Sequence, residues 1–274
     1  MVKSYLQSVN DIVGEFRGRE VYSIYGSASV GKSIYLMGEG INALKAGLRV
    51  VWIDTEGGFD GLWNKFKDKY AARFQYDFKG FDDNWEYHRV LTPEEFIRYL
   101  GIDIEVNYDK SKIEIAIKKF IEGQDTIYEK FGRKRDNLMV IVDSFSSPFK
   151  LGFTTNVQNF GARADAQGIA MMAAMKFMEK TNAILLASHH SSLNPTNPYQ
   201  QVGNIRGGNT ILYYSKHILD FEKPKKKVLD SFRKVYGVRT SIAKDWELMK
   251  WVKITEDGYV DSTEEEMEKA SEVK

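Results

Sequence analysis

The chain has 274 residues, 43% hydrophobic and 13% aromatic, which supplies apolar surface for a sizeable core in one α/β unit. Its 39 basic and 38 acidic residues leave a formal net charge of +1, so no global field marks a nucleic-acid or membrane binder and any such surface has to be local. The absence of cysteine excludes disulfides, thiolate metal sites and cysteine nucleophiles; no apolar run approaches the ~18–20 residues of a membrane span, and no secretory leader pattern opens the chain, so a cytoplasmic protein away from membranes is expected.

In chain order, residues 21–25 (Val-Tyr-Ser-Ile-Tyr) read as a buried strand. The loop Gly26-Ser27-Ala28-Ser29-Val30-Gly31-Lys32-Ser33 follows, and a helix is expected from Ser33 to about Ala46. Residues 49–54 form a second apolar run ending in Asp54. The long stretch 59–136 reads as an embellished crossover, with short strands near Leu91 and Val106 and helices over 93–100 and 113–131. A third buried strand covers 137–143, a helix 162–179, and a fourth strand 183–188. Ser, Asn, Pro, Gly and Gln crowd 191–208, which predicts a loop. Residues 211–260 alternate more and suggest further, less buried strands, and 263–274 read as a charged flexible tail. The pattern predicts an α/β fold in a single core over 1–262: a mostly parallel central sheet flanked by helices, with added antiparallel strands near the C-terminus.

The chemistry begins at the glycine-bounded loop. Gly26 and Gly31 let the backbone fold around phosphate with its N–H groups inward, through Ser27, Ala28, Ser29 and Val30. Lys32 is placed to reach the β- and γ-phosphates, and Ser33 to put a hydroxyl on Mg²⁺ at the start of a helix that favours the anion. ATP and Mg²⁺ are therefore the expected ligands. Asp143, closing an apolar strand, is the carboxylate expected on the metal side. An attacking water needs an orienting group, and Glu56 in Asp54-Thr55-Glu56-Gly57-Gly58 is the candidate, with Asp54 its rival as a structural or nucleotide-proximal acid. His189, ending the fourth strand, is expected to sense the γ-phosphate, with His190 able to face the other way.

Taken in this order, these segments resemble the RecA/RadA recombinase superfamily. Ile53-Asp54-Thr55-Glu56 is similar to a segment of archaeal RadA-like proteins whose glutamate is catalytic, and Val142-Asp143-Ser144 is similar to their second nucleotide motif. Arg206-Gly207-Gly208-Asn209 through Tyr213-Tyr214-Ser215 resembles the end of the second DNA-binding loop of bacterial RecA. The resemblance covers about residues 15–260 and implies a RecA-like P-loop core: a DNA-dependent ATPase that binds single-stranded DNA in homologous recombination or repair. It implies DNA loops at 151–162 and 191–208, with Arg163, Arg206, Gly207, Gly208 and Asn209 as contacts. It also implies self-association into a filament or ring, in which Lys244 and Asp245 reach a neighbour's nucleotide, and a recombinase or repair partner. His189 in place of the usual glutamine is similar to KaiC-like relatives and keeps a ring-forming ATPase, or a regulatory paralogue, as alternatives. With the loop starting at Gly26, a minimal core without an accessory DNA-binding domain is expected.

Overall fold

Val21–Gly26 (β1) is buried throughout, and its side chains divide between two cores: Val21 and Tyr25 enter one, Tyr22 and Ile24 the other. A strand covered on both faces reads as an unbroken apolar run, which is why this segment is legible without alternation. The computed structural model describes residues 1–79, 81–108, 113–120, 137–152, 160–192, 204–205, 209–226, 229–238 and 244–272. Ahead of β1 lies Gln7–Val13 (α1). After it come Lys32–Lys45 (α2), Arg49–Asp54 (β2), Phe59–Phe74 (α3), Phe81–Asn84 (α4), Trp85–Arg89 (β3) and Pro93–Tyr99 (α5). Ile102–Tyr108 (β4), Ile113–Phe120 (β5), Leu138–Asp143 (β6), Ser147–Gly152 (α6) and Phe160–Thr181 (α7) follow. The remainder comprises Ile184–Ser192 (β7), Asn204–Ile205 (β8), Asn209–Tyr214 (α8), His217–Glu222 (β9), Phe232–Val238 (β10), Lys244–Thr255 (β11), Gly258–Ser262 (β12) and Glu264–Glu272 (α9).

One large sheet runs β12-β11-β10-β9-β1-β7-β6-β2-β3, with β8 attached to β7. Every pairing from β9 to β3 is parallel, whereas β9 to β12 are joined antiparallel. This is an α/β fold with a mostly parallel sheet flanked by helices and an antiparallel extension. One face packs on α5, α6 and α7 through Phe96, Phe149, Ala170 and Phe177. The other packs on α1, α2 and α3 through Val9, Leu36, Ile41, Phe66 and Tyr70. Because the parallel strands share one direction, their C-terminal ends gather along a single edge, which is where such sheets take ligands.

Two expectations need correction. The helix expected over 113–131 is, in its described part, the strand β5, paired antiparallel with β4. Ile113, Ile115 and Ile117 recur every second residue and are β-branched, so strand periodicity and propensity win over the long helical reading; residues 121–136 lie outside the described part. The short strands expected near Leu91 and Val106 correspond to β3, which joins the large sheet, and β4. The expected flexible tail is α9. Thr263 and Glu266 form a reciprocal cap, each side chain accepting from the other's backbone N–H at 3.2 Å, and Met267 and Ala270 pack on Leu229, Phe232 and Trp251. Among the described residues no helix is long and apolar enough to cross a membrane.

Candidate nucleotide site

The loop after β1 leaves ordinary backbone space at Gly26 (φ 153°), Ser29 (φ 61°) and Gly31 (φ 102°). Such changes of handedness turn successive N–H groups toward one concavity, the geometry that cradles anions. Both glycines are required sterically. A Cβ on Gly26 would collide with the Phe221 carbonyl, and one on Gly31 would lie 2.6 Å from the Tyr259 hydroxyl. Ser27, Ala28 and Ser29 form an exposed rim, while Val30 is buried. Lys32 is buried in the loop, its Nζ donating to the Gly26 and Ser27 carbonyls at 3.0 Å each. Burial lowers its pKa, against the pull of Asp143, Glu56 and Asp220.

Asp143 ends β6 in register with Asp54 at the end of β2. Its carboxylate accepts from Ser188 Oγ at 2.5 Å and from Ser33, which joins it to the first turn of α2. Burial pushes the Asp143 carboxyl up, and the nearby Glu56 charge adds to that, while the two serines oppose it. Asp54 is the structural member of its pair. Its Oδ1 accepts from the Glu56 and Gly57 backbone N–H at 2.9 and 2.7 Å, and its Oδ2 from Phe59 N–H and the Tyr87 hydroxyl. The turn that presents Glu56 is thus tied to the strand end below it. Thr55 locks that turn to β6: its hydroxyl donates to the Ser144 carbonyl at 2.7 Å and accepts from the Ser144 N–H at 2.8 Å.

Glu56 Oε1 accepts a hydrogen bond from His190 Nε2. That bond is the main cause holding the Glu56 carboxyl down to about 2, although partial burial works the other way. His190 lies opposite Gly26 in the β1–β7 register. The half-buried pair therefore bridges from the far side of β6 to the first residue of the glycine-bounded loop.

The sensor role expected of His189 is not supported by its position. The strand runs on to Ser192, so His189 lies inside it, fully buried, with Nε2 3.0 Å from Ser23 Oγ and its ring against Phe145. Burial, with Lys32 nearby, depresses its pKa to about 3, so it stays neutral. The open group is His190. Successive strand residues face opposite sides, and two adjacent histidines on a strand buried on both faces give no sequence signal for which one is open.

The expected nucleotide residues Gly26 to Ser33, with Glu56 and Asp143, come together at one sheet edge. Lys244 and Asp245 do not join them. Their backbone begins β11 opposite Val238 and Gly237, and β10 runs antiparallel to β9, so they sit at the other edge of the sheet. Of the expected DNA contacts, Arg206, Gly207 and Gly208 lie outside the described residues, as do 153–159 and 193–203 of the two loops. Asn209 begins α8 and Arg163 lies near the start of α7. Sequence reasoning gave no role to Thr55 or Ser188, and named His190 only as the neighbour of His189. Thr55 and Ser188 each adjoin a motif acid or histidine, and that adjacency was the available signal. No protein-family model matches the chain, and no curated protein matches its sequence.

Proposed function

We propose that the chain is a Mg²⁺-dependent ATP hydrolase with a RecA-like core, acting on single-stranded DNA in recombination or repair as a self-associated assembly. The observation that carries the hydrolytic reading is the row of four groups along one sheet edge: Lys32 in its loop, His190, Asp143 on Ser33, and Glu56 on His190. The strand β7 lies between β1 and β6. That insertion brings His190 between the phosphate cradle and Glu56.

The donor set fits magnesium. Among the described residues no three His, Cys, Asp or Glu side chains converge as a self-sufficient metal site. Asp143 and Ser33 instead offer one carboxylate and one hydroxyl, which suits an ion that completes its shell with water and substrate phosphate. Asp143 and Ser33 would hold the ion, which would supply charge neutralisation for the phosphates. Lys32 exchanges its two carbonyl partners for phosphate oxygens. Glu56, ionised down to about pH 2, is a weak base but a fixed acceptor. It orients the attacking water, which is most of what a loose phosphoryl-transfer transition state requires. His190 holds Glu56 and registers whether phosphate is present.

The DNA reading rests on the resemblance and on one point of connectivity. Ser191 and Ser192 pair with Ile205 and Asn204, so the two ends of segment 193–203 meet at the Ser192–Asn204 pair, two residues beyond His190. A shift of His190 on phosphate loss is delivered straight to that pair. The test is ATP turnover with and without single-stranded DNA, alongside negative-stain microscopy. Stimulation together with filaments is the expected result. Rings without a DNA response would replace the recombinase reading with a ring-forming ATPase.

A further inference from the structure

We propose that Arg233 and Tyr259, which lie outside the open site, are positioning residues that preset the phosphate loop by fixing the Val30–Gly31 peptide. The inference rests on the nucleotide-binding reading. Val30 is buried, and its carbonyl accepts two hydrogen bonds: from Arg233 Nε at 2.8 Å and from the Tyr259 hydroxyl at 2.7 Å. A carbonyl oxygen has two lone pairs, so this acceptor is saturated. The peptide is planar and trans, so its C=O and the Gly31 N–H point in opposite directions. Anchoring the oxygen backward aims the Gly31 N–H forward, into the concavity where phosphate binds.

The clamp is built from the antiparallel part of the sheet. Arg233 belongs to β10 and Tyr259 to β12. Arg233 is buried, and its Nη1 is held by the Asp230 and Phe232 carbonyls at 2.5 and 2.6 Å, which leaves Nε directed at the loop. A buried guanidinium is costly unless its donors are satisfied, so its place behind an anion site implies a use for its charge. Tyr259 is braced by ring contacts with Tyr35 and Phe221. Its hydroxyl is also the atom that a Cβ on Gly31 would strike, so the same contact that orients the peptide restricts residue 31 to glycine.

The experiment is calorimetric titration of the full chain with Mg-ADP and with AMP, plus steady-state ATP turnover, for wild type and Tyr259→Phe. The substitution removes one hydroxyl and keeps the ring. ADP affinity is expected to fall about tenfold, the worth of one net hydrogen bond. KM for ATP is expected to rise in parallel while kcat stays within about twofold, because the lost contact acts on binding before and during the reaction alike. AMP, with no β-phosphate, is expected to respond less than ADP. Arg233→Lys, which keeps the charge but not the fixed Nε donor, is expected to shift ADP affinity in the same direction. If wild type binds ADP and Tyr259→Phe binds it equally tightly, the positioning role is wrong and the nucleotide reading stands. A fall in kcat with KM unchanged also overturns it. If wild type binds no nucleotide, the underlying reading fails instead.

Discussion

The open edge of the glycine-bounded loop and its packed back treat the same side-chain chemistry in opposite ways. At the edge, Glu56 is half-exposed and its carboxyl is held down to about 2 by His190. On the packed face of α2, Glu39 is fully buried and its carboxyl is pushed up to about 7 by burial, against hydrogen bonds from Ser4, Tyr35, the Tyr5 backbone and Asn42. Tyr35, Tyr70 and Tyr259 in that same region are all raised by burial. At the open edge the carboxyl is held in its charged form, whereas burial at the packed back favours the neutral forms of the carboxyl and the tyrosine hydroxyls. A cradle for an anion gains from both: a charged front supplies the chemistry, and a rigid back keeps the N–H groups aimed without reorganisation.

Removing the charge at the front is expected to have the largest effect. Lys32→Ala should lower kcat/KM by about a thousandfold or more, since the phosphate cation is lost in ground and transition states alike. Nucleotide titration and turnover measure it, and near-normal kcat/KM would mean that the loop does not hold the phosphates. Next is the pair beside it. His190→Ala should reduce turnover by about tenfold, the order of a positioning hydrogen bond, and it frees Glu56. The sign of the pH response follows from the shift. Losing the partner that depresses the Glu56 pKa lets it rise from about 2 toward its usual 4.5, so the acid limb of the turnover profile should move to higher pH. An unmoved limb would separate His190 from Glu56. His189→Asn serves as the contrast. It disturbs a buried contact to Ser23 and should lower thermal stability while leaving the acid limb where it is.

Much of the front was legible in the sequence, and almost none of the back. β1, β2, β6 and β7 are unbroken apolar runs because both faces are covered, and the loop declares itself through two glycines that no other residue can replace. Glu56 and Asp143 follow, because strand ends of a parallel sheet share one edge. The choice between His189 and His190 was not legible, since burial on both faces erases the alternation that would tell them apart. Trp85–Arg89 was legible only as a short strand near Leu91, because an edge strand with Glu, His and Arg carries no apolar run. β5 was lost to a helical reading of a longer charged stretch, although its isoleucines alternate. The Val30 clamp joins residues 203 and 229 positions apart, and no local pattern announces a contact of that range.

The smallest expected effect on function comes from the back. Glu39→Gln should leave turnover unchanged and alter only the pH dependence of stability. The folded pKa of about 7 exceeds the ordinary 4.5, so the native state keeps a proton that the unfolded chain releases between those values. Stability from this group is complete below pH 4.5 and is lost as pH rises to 7, by up to ~3 kcal/mol. Denaturant midpoints at pH 5 and pH 7.5 should differ more for wild type than for Glu39→Gln. Equal differences would remove Glu39 from the comparison.

The central claim is that the edge hydrolyses ATP through a water held by Glu56. It is tested most directly by measuring ATP affinity and single-turnover hydrolysis for wild type and Glu56→Gln under the same conditions. The account predicts affinity within about threefold and a hydrolysis rate reduced ~10²–10³-fold, the usual contribution of such a group. Hydrolysis by Glu56→Gln at the wild-type rate would contradict it.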